Sequence, residues 1–149
     1  MASSITKKTL VVTVNESVSL GNDDYSSRTQ FEIKNINEVS KRIFTVPTYQ
    51  VDVMMLSSSA GAGTFSSGSL KYARITNLDN KNFVRLTFTS GSKNQTEFKL
   101  EPLRTFVFTN DAYSGSSAGD TFGSFASFTS LKGKSNSAAC DLEIYVATT

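Results

Sequence analysis

The residues best suited to recognition lie in one stretch, Tyr72 to Phe88, with the sequence YARITNLDNKNFVRLTF. This stretch interleaves Arg74 and Arg85 with Tyr72 and Phe83 around a polar centre. Basic residues among aromatic ones are typical of nucleic-acid binding. They also fit a β-hairpin that buries one face and turns the other toward a partner. The rest of the chain has to decide between these interpretations.

The charge of the chain argues against a nucleic-acid partner. The formal net charge is +2 over 149 residues, and no run of five basic residues occurs. Proteins that follow a phosphate backbone are usually more basic than this. No apolar run is long enough for a membrane span or a signal peptide. We therefore expect neither nucleic acid nor a membrane as partner, and synthesis in a cytosol.

Residue types that catalyse reactions are scarce. The chain has no His, which removes the commonest general base and the commonest zinc ligand. The pair Asp23-Asp24, and Asp111 and Asp120 at the ends of a later loop, lack the carboxylate spacing of a calcium loop. We therefore expect no enzyme, no metal and no cofactor. The one enzyme class left open is a glycosidase that works with two carboxylates.

Two other short motifs are better explained by structure than by chemistry. Cys140 is the only cysteine, and its apolar surroundings, AACDLEIYV, indicate a buried thiol. A reactive thiol is disfavoured because no His is present to activate it. AGAG at Ala60 to Gly63 does not match a phosphate-binding glycine loop.

Strands must position these residues, because apolar and polar residues alternate with a period of two between turn signals. The first strand and its continuation place one apolar set on a single face, namely Leu10, Val12, Val14, Val18 and Leu20. Phe31 and Ile33 are the next pair expected to point inward, and YQVDVMML places Tyr49, Val51, Val53 and Met55 on one side. Two loops rich in small residues, Ser57–Gly68 and Asn110–Gly123, interrupt the pattern.

About ten short strands without helical periodicity, repeats or linkers predict an all-β fold. We expect residues 1–149 to form one antiparallel β-sandwich domain, jelly-roll-like in its connections. The composition favours a binding or assembly module, since sugar-binding jelly rolls usually present Trp and this chain has none.

The opening stretch is then predicted to be a hairpin with its loop at Leu78–Lys81. Arg74 would lie opposite Arg85, and two like charges directly opposite each other are unfavourable. We expect a negative group above them, which could be Asp52 or Glu97, a carboxylate of another subunit, or a ligand phosphate. A register shift of two residues would also separate the arginines. The inward face carries Ile75, Val84 and Leu86, and the outward face carries Tyr72, Arg74, Phe83 and Arg85.

Four stretches together resemble small virion structural proteins of tailed bacteriophages, especially marine ones. They are SKRIFTVPT (Ser40 to Thr48), the opening stretch, FKLEPLRTFVFTN (Phe98 to Asn110) and AACDLEIYVA (Ala138 to Ala147). The resemblance implies a β-sandwich or jelly-roll subunit on the particle. Such proteins tend to have Gly before the F-V-F strand, where this chain has Pro102-Leu103-Arg104, and Pro102 can serve the same turn by fixing its backbone angle.

These observations lead to a functional hypothesis. We expect a virion protein, in particular a capsid decoration (cement) protein that binds the major capsid protein or other virion subunits non-covalently as a homo-oligomer. The alternative is a tail component or a receptor- or glycan-binding module. The candidate contact residues are Tyr72, Arg74, Phe83 and Arg85, with the two small-residue loops as second candidates.

Overall fold

The computed structural model describes residues 6–57, 61, 63–66, 69–91, 93–109 and 128–149. All regular elements in these ranges are strands, and no helix in them could span a membrane. The strands are Lys8–Glu16 (β1), Ser19–Leu20 (β2), Asp23–Asp24 (β3), Ser27–Ile36 (β4), Glu38–Val46 (β5), Val51–Ser57 (β6), Thr64–Ser66 (β7), Leu70–Asn77 (β8), Val84–Ser90 (β9), Lys93–Leu100 (β10), Thr105–Thr109 (β11), Ser130–Ser135 (β12) and Cys140–Thr148 (β13).

Two sheets pack face to face. The four-stranded sheet has the order β11-β8-β13-β5, and the five-stranded sheet has the order β10-β9-β12-β6-β7. All pairs are antiparallel except β6 with β7. The predicted all-β sandwich is therefore confirmed, whereas the jelly-roll connections and the single domain over residues 1–149 stay predictions.

The core lies between the sheets and follows the two-residue period of the sequence. Leu142 and Ile144 of β13 face inward from one sheet, and Leu86 and Leu131 face inward from the other; all four are almost completely buried. Gly133 of β12 is required by this packing, because a Cβ at that position would lie 2.7 Å from Val53 Cγ2. The core contains enough apolar surface to hold the two sheets together without a metal or disulfide.

Two details of the predicted pattern were wrong. In β6, Val53 and Met54 are both buried and Met55 is exposed, because the pairing with β12 shifts register at Leu131/Lys132. Such a bulge reverses which residues face the core. Part of the predicted loop at Ser57–Gly68 is the strand β7, whose Phe65 is buried. The second loop, Asn110–Gly123, lies outside the described residues.

The predicted hairpin of the opening stretch does not form. β8 pairs with β11 and β13, whereas β9 pairs with β10 and β12, so the chain crosses from one sheet to the other between Asn77 and Val84. Asn77 explains the crossing: its Nδ2 donates to the carbonyl oxygens of Asn82 (2.9 Å), Leu100 (3.3 Å) and Glu101 (3.3 Å). A fully buried amide with these partners fixes the loop as an arch rather than a hairpin turn.

The inward residues of that stretch were nevertheless predicted correctly. Ile75, Val84 and Leu86 are fully buried. Alternation determines which residues of a strand face the core, and this is true whether β8 and β9 lie in the same sheet or in different sheets. What alternation leaves open is the identity of the neighbouring strand.

Residues 8–36 build a separate two-stranded ribbon, defined here as β1 to β4. β1 pairs with β4 from Lys8 to Glu16, and β2 pairs with β3 at the tip. The turn at the tip contains Gly21 with φ of +65°, a conformation that glycine adopts at little cost. The ribbon then leads directly into β5 of the four-stranded sheet.

Candidate interaction surface

One face of the ribbon is mostly apolar, with a polar break at its middle where Glu16 lies opposite Ser27. Leu10 lies opposite Ile33, Val12 opposite Phe31, and Leu20 opposite Asp23. Residues opposite each other in an antiparallel pair share a face, and so do alternate residues along each strand. This face, called here the apolar ribbon face, consists of Leu10, Val12, Val14, Val18, Leu20, Tyr25, Phe31 and Ile33, with Glu16, Asp23, Ser27 and Thr29 between them.

The base of the apolar ribbon face is packed against the sandwich. Leu10, Val12 and Ile33 contact a small cluster that contains the buried Tyr72 and Ala147. These two residues point away from the main core, so the base of the ribbon covers part of the outer side of the four-stranded sheet. Burial also raises the pKa of the Tyr72 hydroxyl. These contacts attach the base of the ribbon to the sandwich at a defined place.

The outer part of the same face is not covered. Every residue from Thr13 to Glu32 is exposed. Among them, Leu20 is 65% exposed and Tyr25 is 59% exposed, while Val14 and Val18 are each 47% exposed. An isolated two-stranded ribbon is marginally stable in water unless its apolar face packs against something. Several exposed large apolar side chains on one face are typical of an interaction surface.

The tip of the ribbon is acidic as well as apolar. Asp23 and Asp24 lie side by side in β3, and neither forms an ion pair with a residue that the structure describes. The hydroxyl and backbone N–H of Ser26 donate to Asp24 Oδ1, which lowers the pKa of that carboxyl below its ordinary value. The tip therefore carries exposed negative charge beside exposed apolar side chains.

Arg74 lies on the outer side of the four-stranded sheet and already has a carboxylate partner. Its Nη2 is 2.5 Å from Glu143 Oε1, and Lys41 Nζ is 3.3 Å from the other oxygen of the same carboxylate. The hydrogen bond from Arg74 is the main cause that holds the pKa of Glu143 below its ordinary value. This group is a polar network of neighbouring strands and does not need an external anion.

Arg85 lies on the other sheet, in a row of basic residues. Lys99 and Lys134 are both directly opposite Arg85 on the neighbouring strands. Glu97 pairs with Arg85 at 3.2 Å, Glu101 pairs with Lys99 at 2.6 Å, and Lys134 forms no ion pair within the described part of the chain. Like charges in adjacent cross-strand positions disfavour each other. The row is therefore incompletely neutralised at Lys134.

A shallow depression of about 240 Å³ lies beside this row. Its lining consists of Phe83, Arg85, Lys134, Ser135 and Asn136. The ring of Phe83 is covered by Lys99 Nζ, which is 4.4 Å from the ring centroid. This surface, called here the basic depression, brings together the cations of Arg85 and Lys134, the Phe83 ring and the side-chain amide of Asn136.

The four predicted contact residues do not form one surface. Tyr72 is buried under the ribbon and Arg74 is paired with Glu143, both on the four-stranded sheet. Phe83 and Arg85 line the basic depression on the five-stranded sheet. Of the two carboxylates named for the arginines, Glu97 does pair with Arg85, whereas Asp52 pairs with Lys132.

The ribbon is the surface that the sequence reasoning missed. Its signal was present, because Leu10 to Leu20 were predicted correctly to share one face. The pattern left open whether that face is covered by the rest of the chain. A sequence of two strands joined by the turn GNDDYSS gives no indication of whether a third strand or a sheet lies beneath them.

Cys140 is buried, as predicted. Burial raises the pKa of its thiol, and the Ser135 hydroxyl lies 2.9 Å from its sulfur. Within the described ranges, no group of three potential metal-ligating residues occurs. No protein-family model, curated protein or solved structure matches the chain.

Proposed function

We propose that this protein is a structural subunit of a phage particle, and in particular a decoration (cement) protein that binds the capsid shell. The observation that carries the proposal is the ribbon: a two-stranded element anchored on a self-contained sandwich, with an apolar face exposed over its outer part. Proteins that stabilise a shell have to reach from their own fold onto a neighbour, and an exposed apolar ribbon is suited to that task.

The mechanism would be non-covalent. Each copy covers the apolar ribbon face against an adjacent subunit, and the area buried is removed from water on both sides. A single contact of this size is weak, but many copies on one particle act together through avidity. The sandwich supplies a rigid base, since its core does not depend on the partner. The resemblance of the strand sequences to phage virion proteins supports the same role.

Labelling of purified particles tests this proposal. Antibodies raised against the purified chain are applied to virions from the phage that encodes it, and bound label is counted by electron microscopy. We expect label distributed over the whole head, and lower resistance to heating in particles that lack the protein. Label confined to the tail tip would support the receptor-binding alternative. The absence of label from wild-type particles would refute the proposal.

A matched pair of variants connects the ribbon to the proposed role. Leu20→Asp places a charge on the apolar ribbon face, whereas Ser19→Asp places the same charge at the adjacent exposed position on the polar face. We expect Leu20→Asp to abolish incorporation into particles and Ser19→Asp to retain it. Equal incorporation of the two variants would contradict a role for the apolar ribbon face.

A further inference from the structure

We propose that the ribbon tip of one copy docks into the basic depression of a second copy of this chain. The inference rests on the proposed assembly role and names the partner of the ribbon. Its basis is a match of chemistry between two surfaces of the same molecule, the acidic and apolar tip and the basic and aromatic depression.

The charges of the two surfaces are complementary. Asp23 shares the apolar ribbon face with Leu20 and has no ion-pair partner among the described residues. Lys134, at the end of the basic row, likewise has no ion-pair partner within the part of the chain that the structure describes. An ion pair between Asp23 and Lys134 would neutralise both, and the partial enclosure of an interface strengthens such a pair relative to open solvent.

The apolar groups are complementary as well. Leu20 and Tyr25 flank Asp23 on the tip, and the backbone N–H of Tyr25 donates to the Val18 carbonyl at 3.0 Å, which continues the register of the ribbon. The depression of about 240 Å³ beside Phe83 has room for one such side chain. The depression also presents the exposed amide of Asn136 at its rim.

The ribbon cannot reach the basic depression of its own chain. Its base packs on Tyr72 and Ala147, which lie on the outer side of the four-stranded sheet near the start of β8. The depression lies on the outer side of the five-stranded sheet, beside the start of β9. These are opposite faces of the sandwich, and β8 ends where the arch to β9 begins. Any contact between tip and depression therefore joins two molecules.

The contact is head-to-tail, since the two surfaces are different. A heterologous contact of this kind produces a closed ring or an open chain of copies. Each copy would then give its ribbon to one neighbour and receive a ribbon from the other. This arrangement fits a protein that must cover a shell with many identical copies.

Reversal of the charges tests the proposal in the purified full-length chain. Sedimentation velocity measures association of the wild type, of Asp23→Lys, and of Lys134→Glu. We expect the wild type to associate and each variant to associate at least about tenfold more weakly, because like charges would then meet at the contact. Glu32→Lys changes the charge by the same amount on the polar face of the ribbon and should associate like the wild type.

Mixing the two variants gives the decisive result. In the mixture, the unaltered Asp23 of one variant meets the unaltered Lys134 of the other, and the two reversed residues meet at the second contact. We expect the mixture to associate about as strongly as the wild type, although each variant alone associates at least about tenfold more weakly. A wild type that stays monomeric at high concentration, variants that associate like the wild type, or a mixture that stays monomeric would each overturn the proposal.

This test can fail independently of the proposed function. If the purified chain stays monomeric while label covers the phage head, the ribbon binds a different virion subunit and only the self-docking inference is lost. If the mixture associates but no particle contains the protein, the self-docking inference stands and the virion role falls.

Discussion

The sandwich and the ribbon are made of the same kind of strand but differ in what covers their apolar faces. In β13 the alternate residues Leu142, Ile144 and Val146 are buried by the opposite sheet. In the ribbon the alternate residues Val14, Val18 and Leu20 face solvent. The period of two is present in both, although Glu16 interrupts the apolar set in the ribbon. The difference teaches that the pattern identifies one face of a strand but does not identify the surface that covers it.

The largest expected effect compares two leucines, one in each region. Leu142→Ala opens a cavity in the core and should lower the free energy of unfolding by about 2–5 kcal/mol. Leu20→Ala removes an exposed side chain and should change it by less than about 0.5 kcal/mol. Urea denaturation followed by circular dichroism measures both. Similar losses for the two variants would mean that the ribbon is part of the folding core, and the distinction would be wrong.

The second effect concerns the arch that joins the sheets. Asn77→Ala removes an amide that satisfies three carbonyl oxygens and accepts the Asp79 N–H at 3.0 Å. Because buried polar groups are left without partners, we expect a loss of about 2–3 kcal/mol in the free energy of unfolding. Asn80→Ala, at an exposed position of the same loop, should have little effect. If Asn77→Ala were as mild as Asn80→Ala, the arch would not depend on this network.

A smaller effect depends on pH. The folded pKa of Glu143 is lower than its ordinary value of 4.5 because Arg74 donates to it. The stability that this carboxylate contributes is therefore present above its unfolded pKa and is lost as the pH falls through the folded pKa. Glu143→Gln should lower the melting temperature near pH 7 and reduce the loss on acidification below about pH 4.5. Parallel melting curves against pH for wild type and variant would contradict the assignment.

The smallest effect concerns two turns. Leu103 has φ of +58°, a left-handed conformation that a side chain disfavours, whereas the ribbon has Gly21 in the equivalent conformation. Leu103→Gly should raise the free energy of unfolding by up to about 1 kcal/mol, because relief of strain exceeds the entropy cost of glycine. Leu78→Gly, whose position has no positive φ, should lower it instead. A loss in both variants would show that Leu103 is not strained.

The fold was largely predictable because burial leaves a direct trace in the residue pattern. Alternation identified the inward positions of β8, β9 and β13, and the absence of helical periodicity identified the class. Pro102-Leu103-Arg104 was also recognised as a turn, in which Leu103 has a φ of +58°. In each case the property is local, so a single strand or turn contains the information.

The interaction surface was only partly predictable because it depends on which strands become neighbours. Arg74 and Arg85 were placed opposite each other, but the buried amide of Asn77 sends them to different sheets, where Glu143 and Glu97 pair with them. Likewise, Phe31 and Ile33 share the predicted face, yet only Ile33 reaches the sandwich. Such outcomes depend on contacts distant in sequence, which periodicity does not contain.

The central proposal is that a neighbouring molecule covers the apolar ribbon face, whereas the core between the two sheets is buried by the chain's own strands. Amide hydrogen exchange of the full-length chain, compared between dilute and concentrated protein, tests this most directly. We predict that exchange in residues 13–32 slows as association increases, while the amides of β8, β9 and β13 exchange at the same slow rate in both. Equal exchange of the ribbon at all concentrations, in a sample that does associate, would contradict the claim.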